Sequence, residues 1–257
     1  MSGPILEVEG LSKSFGGLRA VEDVSFQVRR GIICAMIGPN GAGKSTVFNL
    51  LTNIYRADAG RVVFQNRNTS GYRPHEIAGL GLARTFQTVR VFPHQSVVDN
   101  VLIGAHLLVK AGMWQQALSL SRAHREEKVL REKALAVLEA VGMTLWADAM
   151  AESLPLGLQK LLDLARALMA APSLLLLDEP AAGLNDGETA RLAHILTCIR
   201  DAGVTIMVVE HNMSLVMGIA DLVLVVDHGR LIAQGDPAAV QADPGVIEAY
   251  LGRKEKD

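Results

Sequence analysis

Two stretches of this 257-residue sequence hold residue types that could handle a polyphosphate. The first is Gly38-Pro39-Asn40-Gly41-Ala42-Gly43-Lys44-Ser45, which fits the spacing GxxxxGK[ST] of a phosphate-binding loop. Its glycines let backbone N–H groups turn inward around phosphate oxygens, and the start of a following helix adds positive potential. Lys44 can reach the β- and γ-phosphates, and the Ser45 hydroxyl can ligate Mg²⁺. Thr46 heads the helical segment that follows, Thr46 to Asn53, and completes the expected phosphate-binding set. The second stretch is Leu174-Leu175-Leu176-Leu177-Asp178-Glu179-Pro180, an apolar run that ends in adjacent carboxylates. Neighbouring side chains of a strand point opposite ways, so the two should do different work. Asp178 is expected to hold Mg²⁺ through water, and Glu179 to polarise an attacking water.

These residues need elements to position them. Ile32 to Ile37, Ser173 to Leu177, Val204 to Val209 and Leu222 to Val226 are near-continuous apolar runs, the pattern of parallel strands covered on both faces. Ile5 to Val8 and Val24 to Val28 alternate like half-exposed strands, which predicts an antiparallel section at the start. His228-Gly229 is a turn candidate between the strand at Leu222 and another at Arg230 to Gln234. From about Val97 to Leu154 the pattern turns helical. Asn100 to Ser121 has helical spacing weakened by Gly104 and Gly112, Arg122 to Lys133 is densely charged, and Ala134 to Val141 is a strong helix former. The charged run reads as a solvated helix face.

Formal net charge is −2 and 49% of residues are hydrophobic, so a sizeable core is available and no global field draws the chain to nucleic acid. Met1-Ser2-Gly3-Pro4 lacks the features of a secretory signal, and no run reaches the roughly 18 apolar residues of a spanning helix. A cytosolic chain is expected, with any membrane role exerted through a partner. Cys34 and Cys198 have no metal-binding company and are expected to be small buried hydrophobes.

With these motifs in place, the sequence resembles the ATP-binding subunits of ABC transporters over nearly its whole length. The resemblance implies an α/β fold: a P-loop NTPase (RecA-like) parallel-sheet core with an antiparallel β subdomain and a helical ABC-specific subdomain. It would form a single nucleotide-binding domain over 5–252, with the helical part at about 97–170 and a charged tail at 253–257. Phe15 matches the aromatic residue that stacks on adenine. Gln87, in Arg84-Thr85-Phe86-Gln87, matches the glutamine that reaches Mg²⁺ and links the subdomains. His211, in Val209-Glu210-His211-Asn212, matches the switch histidine at the γ-phosphate. Asn185, in Ala181-Ala182-Gly183-Leu184-Asn185, stands where many relatives have Asp, and with Glu188 it also has the spacing of a helix-capping box.

The family signature LSGGQ departs from its pattern as Leu154-Pro155-Leu156-Gly157-Leu158. Pro155 lacks the serine hydroxyl that contacts the γ-phosphate, although proline suits a helix start and Gly157 still admits phosphate to the backbone. The resemblance implies ATP and Mg²⁺ as ligands, a second ATP-binding subunit (identical or not) completing each site, and transmembrane permease subunits. A periplasmic solute-binding protein would act indirectly.

Within the family, Phe15 to Val21, Glu179 to Asn185 and the ending Asp243 to Gly252 resemble the ATPases of high-affinity branched-chain amino-acid importers. That places the chain on the cytoplasmic face of the inner membrane. Urea or amide import, lipopolysaccharide export and a catalytically weak regulatory subunit are the alternatives.

Overall fold

The computed structural model describes residues 3–85, 90–107 and 120–251. In chain order the strands are β1 (Leu6–Phe15), β2 (Leu18–Val28), β3 (Ile33–Ile37), β4 (Ala59–Phe64), β5 (Arg67–Asn68), β6 (Leu82–Arg84), β7 (Leu174–Asp178), β8 (Thr205–Val209), β9 (Leu222–Asp227) and β10 (Arg230–Gly235). They form two sheets, a four-stranded one in the order β2-β1-β4-β5 and a six-stranded one in the order β10-β9-β3-β8-β7-β6. The first is antiparallel, as the alternation at Ile5 to Val8 and Val24 to Val28 predicts. In the second, every pairing from β9 through β3, β8 and β7 to β6 is parallel, and β10 closes it antiparallel to β9.

β3, β7 and β8 are buried at every position, which explains why they read as continuous apolar runs rather than alternating ones. Alternate residues still go to opposite faces. Ile33, Ala35, Leu175, Leu177, Ile206 and Val208 face one core, while Cys34, Met36, Leu174, Leu176, Met207 and Val209 face the other. Leu174 to Leu177 are each no more than 1% exposed, so truncating any one of them to alanine should cost about 2–5 kcal/mol. Between β9 and β10, His228 and Gly229 both have positive φ, as a tight hairpin with a right-handed twist requires.

The helices are α1 (Lys44–Leu51), α2 (Pro74–Gly79), α3 (Val97–Ile103), α4 (Leu120–Ala140), α5 (Leu156–Met169), α6 (Asp186–Asp201), α7 (Met213–Ile219), α8 (Pro237–Gln241) and α9 (Pro244–Leu251). α3 starts where the Ser96 hydroxyl accepts from the Asp99 N–H and stops at Gly104, where the chain tightens into a 3₁₀ turn. The expected helical pattern from Asn100 to Ser121 is thus broken at Gly104, and 108–119 lie outside the described residues. The charged run falls in α4, where residues 125–129 are exposed while Ala134 and Leu138, one turn apart, are buried. It is a solvated face.

One expectation is overturned. Cys34 is buried but Cys198 is exposed, because Cys198 sits on the outer side of α6 beside His194, while Leu192, Ile195, Leu196 and Ile199 of the same helix turn inward. The order β9-β3-β8-β7 has the consequence that matters for function. The segments leaving β3, β8 and β7 emerge side by side at one edge of the parallel sheet, where ligands of such sheets bind.

Candidate functional site

The phosphate loop leaves β3 at Gly38 and enters α1 at Lys44. Gly38 has φ +150°, and a Cβ there would lie 1.9 Å from the carbonyl oxygen of Val226 on β9. Only glycine lets the loop pass that close to the neighbouring strand. Lys44 is buried, and its Nζ donates to the carbonyls of Gly38 at 2.7 Å and Pro39 at 2.8 Å. Burial pushes its pKa down, opposed by the negative charges of Glu179 and Asp178. The ammonium therefore sits curled under its own loop, held by neutral carbonyls.

A cleft of about 470 Å³ opens above the loop and is lined by Asn40 to Thr46 together with Phe15, Glu179 and His211. The described structure thus brings together most of the residues singled out in the sequence. Phe15 is half-exposed at the cleft edge. It meets the Tyr55 ring edge-on at 5.1 Å, and the Lys13 ammonium lies 5.6 Å from its centroid. One face of the ring being supported this way leaves an aromatic platform at the cleft wall.

The carboxylate pair splits as expected, but by another route than strand alternation. β7 ends at Asp178, and Glu179 takes a left-handed φ of +50° while its N–H still donates to Val209 at 2.9 Å. That kink swings Glu179 into the cleft, where Oε1 lies 2.6 Å from Nε2 of His211. Asp178 stays buried at the strand end. Its Oδ2 accepts from Nη2 of Arg84 at 3.0 Å, and its Oδ1 has no hydrogen-bond partner among the described residues. Burial raises the Asp178 pKa, and the Arg84 and Lys44 cations pull it back.

A buried carboxylate oxygen without a donor is costly unless something positive completes it. With the Ser45 hydroxyl on the cleft lining, the available donors are hard oxygens, a set that suits Mg²⁺ sharing its remaining positions with phosphates and water. No cluster of three or more His, Cys, Asp or Glu side chains that could hold a metal on its own occurs among the described residues.

Pro155, Gly157 and Asn185 lie outside this cleft's lining. Pro155 is the N-cap of α5, with φ −56° and ψ 156°. Asn185 caps α6 by a reciprocal box: its Oδ1 accepts from the Glu188 N–H at 2.9 Å, and Glu188 accepts from the Asn185 N–H at 3.0 Å. Gln87 falls outside the described residues.

Three residues at the site hold positions to which the sequence alone assigns no role. Arg84 donates to Asp178. Lys160, from the first turns of α5, donates to the carbonyls of Glu179 and Pro180, each at 3.1 Å. Glu210 is buried and accepts from the N–H groups of Ala181 at 2.6 Å, His211 at 3.0 Å and Asn212 at 3.3 Å. The only signal pointing to Glu210 was its place beside His211, at the end of a buried strand where few solvated partners exist.

A glycine-bearing phosphate loop after a central parallel strand, with an acidic strand end two strands away, defines a P-loop nucleotide-binding protein. The comparisons narrow this class. The model of the family described as ABC transporter matches residues 21–182, and that of the branched-chain amino acid ATP-binding cassette transporter matches residues 230–256. The chain belongs to the ABC transporter family. It is 41% identical to the high-affinity branched-chain amino acid transport ATP-binding protein LivG of Salmonella typhimurium, over 98% of this chain and 99% of that one. It is likewise 41% identical to BraF of Pseudomonas aeruginosa, a protein of the same description, with the same coverage. Among solved structures it resembles a nucleotide-free ATP-binding cassette from an ABC transporter, at a TM-score of 0.84 and 31% identity, covering 97% of this chain and 100% of that one.

Proposed function

We propose that this chain is the ATP-hydrolysing subunit that powers uptake of branched-chain amino acids through partner permeases. The observation that carries the ATPase reading is the convergence of the phosphate loop, Glu179 and His211 on one cleft. The amino-acid assignment rests on the likeness to the LivG and BraF proteins over nearly the full chain.

The residues divide the work as follows. Backbone N–H groups of Gly38 to Ser45 and the start of α1 cradle the β- and γ-phosphates, and Lys44 turns from its loop carbonyls to the phosphate oxygens. Phe15 stacks on the base, and Thr46 completes the phosphate shell. Ser45, Gln87 and, through water, Asp178 would hold Mg²⁺, which would supply positive charge to the phosphate oxygens. Glu179 orients a water for in-line attack and takes its proton. The new P–O bond forms as the bond to the ADP oxygen breaks, giving ADP and phosphate. His211, hydrogen-bonded to Glu179, holds that carboxylate and presents its ring to the γ-phosphate.

Pro155, Gly157 and Asn185 would serve a second site, closing on the nucleotide of a second ATP-binding subunit. With no serine hydroxyl at Pro155, that contact would come from backbone groups at the start of α5. The permease subunits would dock in a separate, mostly apolar groove of about 320 Å³, lined by Ile54, Ile77, Leu82, Phe92, Ile103 and Ala167 among others, where the sheet meets the helical part. No described helix is long and apolar enough to cross a membrane, so attachment to the cytoplasmic face would be peripheral. A periplasmic binding protein would act only through the permease.

Steady-state ATPase and nucleotide binding test this reading. Lys44→Ala should abolish ATP binding, and Glu179→Gln should bind ATP and stall. Native-rate hydrolysis by Glu179→Gln would overturn the assignment of the base.

A further inference from the structure

Arg84 is the last residue of β6, and its side chain is only 8% exposed. Its guanidinium divides its donors between two elements. Nη2 donates to Asp178 Oδ2 at 3.0 Å, while Nη1 donates to Asn49 Oδ1 on α1 at 2.7 Å and lies 3.4 Å from the Thr52 hydroxyl. The group also lies over the Phe48 ring at 5.6 Å. Asp178 thus has one oxygen committed and the other, Oδ1, without a partner among the described residues. A planar guanidinium fork can hold two acceptors at fixed directions at once, whereas an ammonium is a point charge.

We propose that Arg84 is a positioning residue for the divalent cation, its fork binding Asn49 and Asp178 Oδ2 together so that Asp178 Oδ1 alone is presented to the ion. The proposal rests on the reading of Asp178 as the metal-side carboxylate. Through Asn49 the same fork ties that carboxylate to the helix that begins at the phosphate loop, so metal and phosphates are registered against one another. Groups that orient a metal-binding side chain commonly matter about 10–100-fold for metal affinity.

The test is fluorescence titration of the full-length chain with trinitrophenyl-ATP, in EDTA and across a MgCl₂ series, for the native protein, Arg84→Gln, Arg84→Lys and Asp178→Asn. Thermal melts report folding. The expected result is that Arg84→Gln binds nucleotide in EDTA like the native chain but needs about 10–100-fold more Mg²⁺ to reach its tighter state. Arg84→Lys should fall between them, because it keeps the charge and one of the two contacts. Should Arg84→Gln fail to fold, the Arg84→Lys titration decides on its own.

A native Mg²⁺ response in both Arg84 variants, with the response lost in Asp178→Asn, would overturn the proposal and leave the metal-side role of Asp178 standing. Equal weakening with and without Mg²⁺ would also overturn it, since the role would then be structural. An unchanged Mg²⁺ response in Asp178→Asn would remove the reading of Asp178 and the proposal with it.

Discussion

The phosphate loop and the start of α5 are both glycine-bearing turns into a helix, yet they tolerate change very differently. At Gly38 an added Cβ would strike the backbone of β9, whose position is fixed by the sheet. At Gly157 an added Cβ would meet Glu188 Oε1 at 2.5 Å, the far end of a side chain that can move aside at the cost of its exposed capping bond to the Asn185 N–H. The loop keeps its full motif, whereas the α5 start reads Leu-Pro-Leu-Gly-Leu and still forms a regular helix capped by Pro155. Where the backbone path is the binding surface and is wedged against a sheet, residue identity is forced. Where a helix start is not wedged against a sheet, as at Pro155 and Gly157, residue identity is less constrained.

The sharpest way to break this contrast is at the chemistry of the loop side. Glu179→Gln should lower turnover by about 10²–10⁴-fold with ATP binding retained, measured by phosphate release and nucleotide titration. Next comes the glycine pair. Gly38→Ala should cost about 3 kcal/mol or more in a denaturant melt, against a change of about 0.5 kcal/mol for Gly157→Ala; equal costs would end the comparison. Asn185→Ala removes the α6 cap and should cost about 1 kcal/mol in the same melt. The smallest effect belongs to Pro155→Ser. Restoring one hydroxyl contact of about 1 kcal/mol to the closed state should raise ATP turnover in the assembled complex by about five-fold, and an unchanged or lower rate would count against the missing-contact reading.

The same contrast marks what the sequence made legible. Leu174 to Leu177, Thr205 to Val209 and the loop at Gly38 are written locally, as runs or fixed spacings, and the parallel core follows from them. β4, β5 and β6 leave no such local mark. β5 and β6 are only two and three residues long, and β4 begins with three exposed positions, so none repeats a pattern long enough to stand out. Arg84 pairs with a residue 94 positions away, and no local pattern could announce that. Residue type alone places Cys198 inside, but the helical phase that buries Leu196 and Ile199 leaves it exposed. Alternation along the strand predicts that Asp178 and Glu179 diverge, and they do, but the direction of Glu179 is set by a left-handed backbone, not by the pleat.

Glu210 bears on how this part of the molecule moves. One sequestered negative charge collects amides from Ala181 on one connection and from His211 and Asn212 on the other. Neither connection can drift from the other without stranding that charge in the interior. The stretch that begins at Ala181 and the one that carries His211 are thus fastened to a single interior side chain.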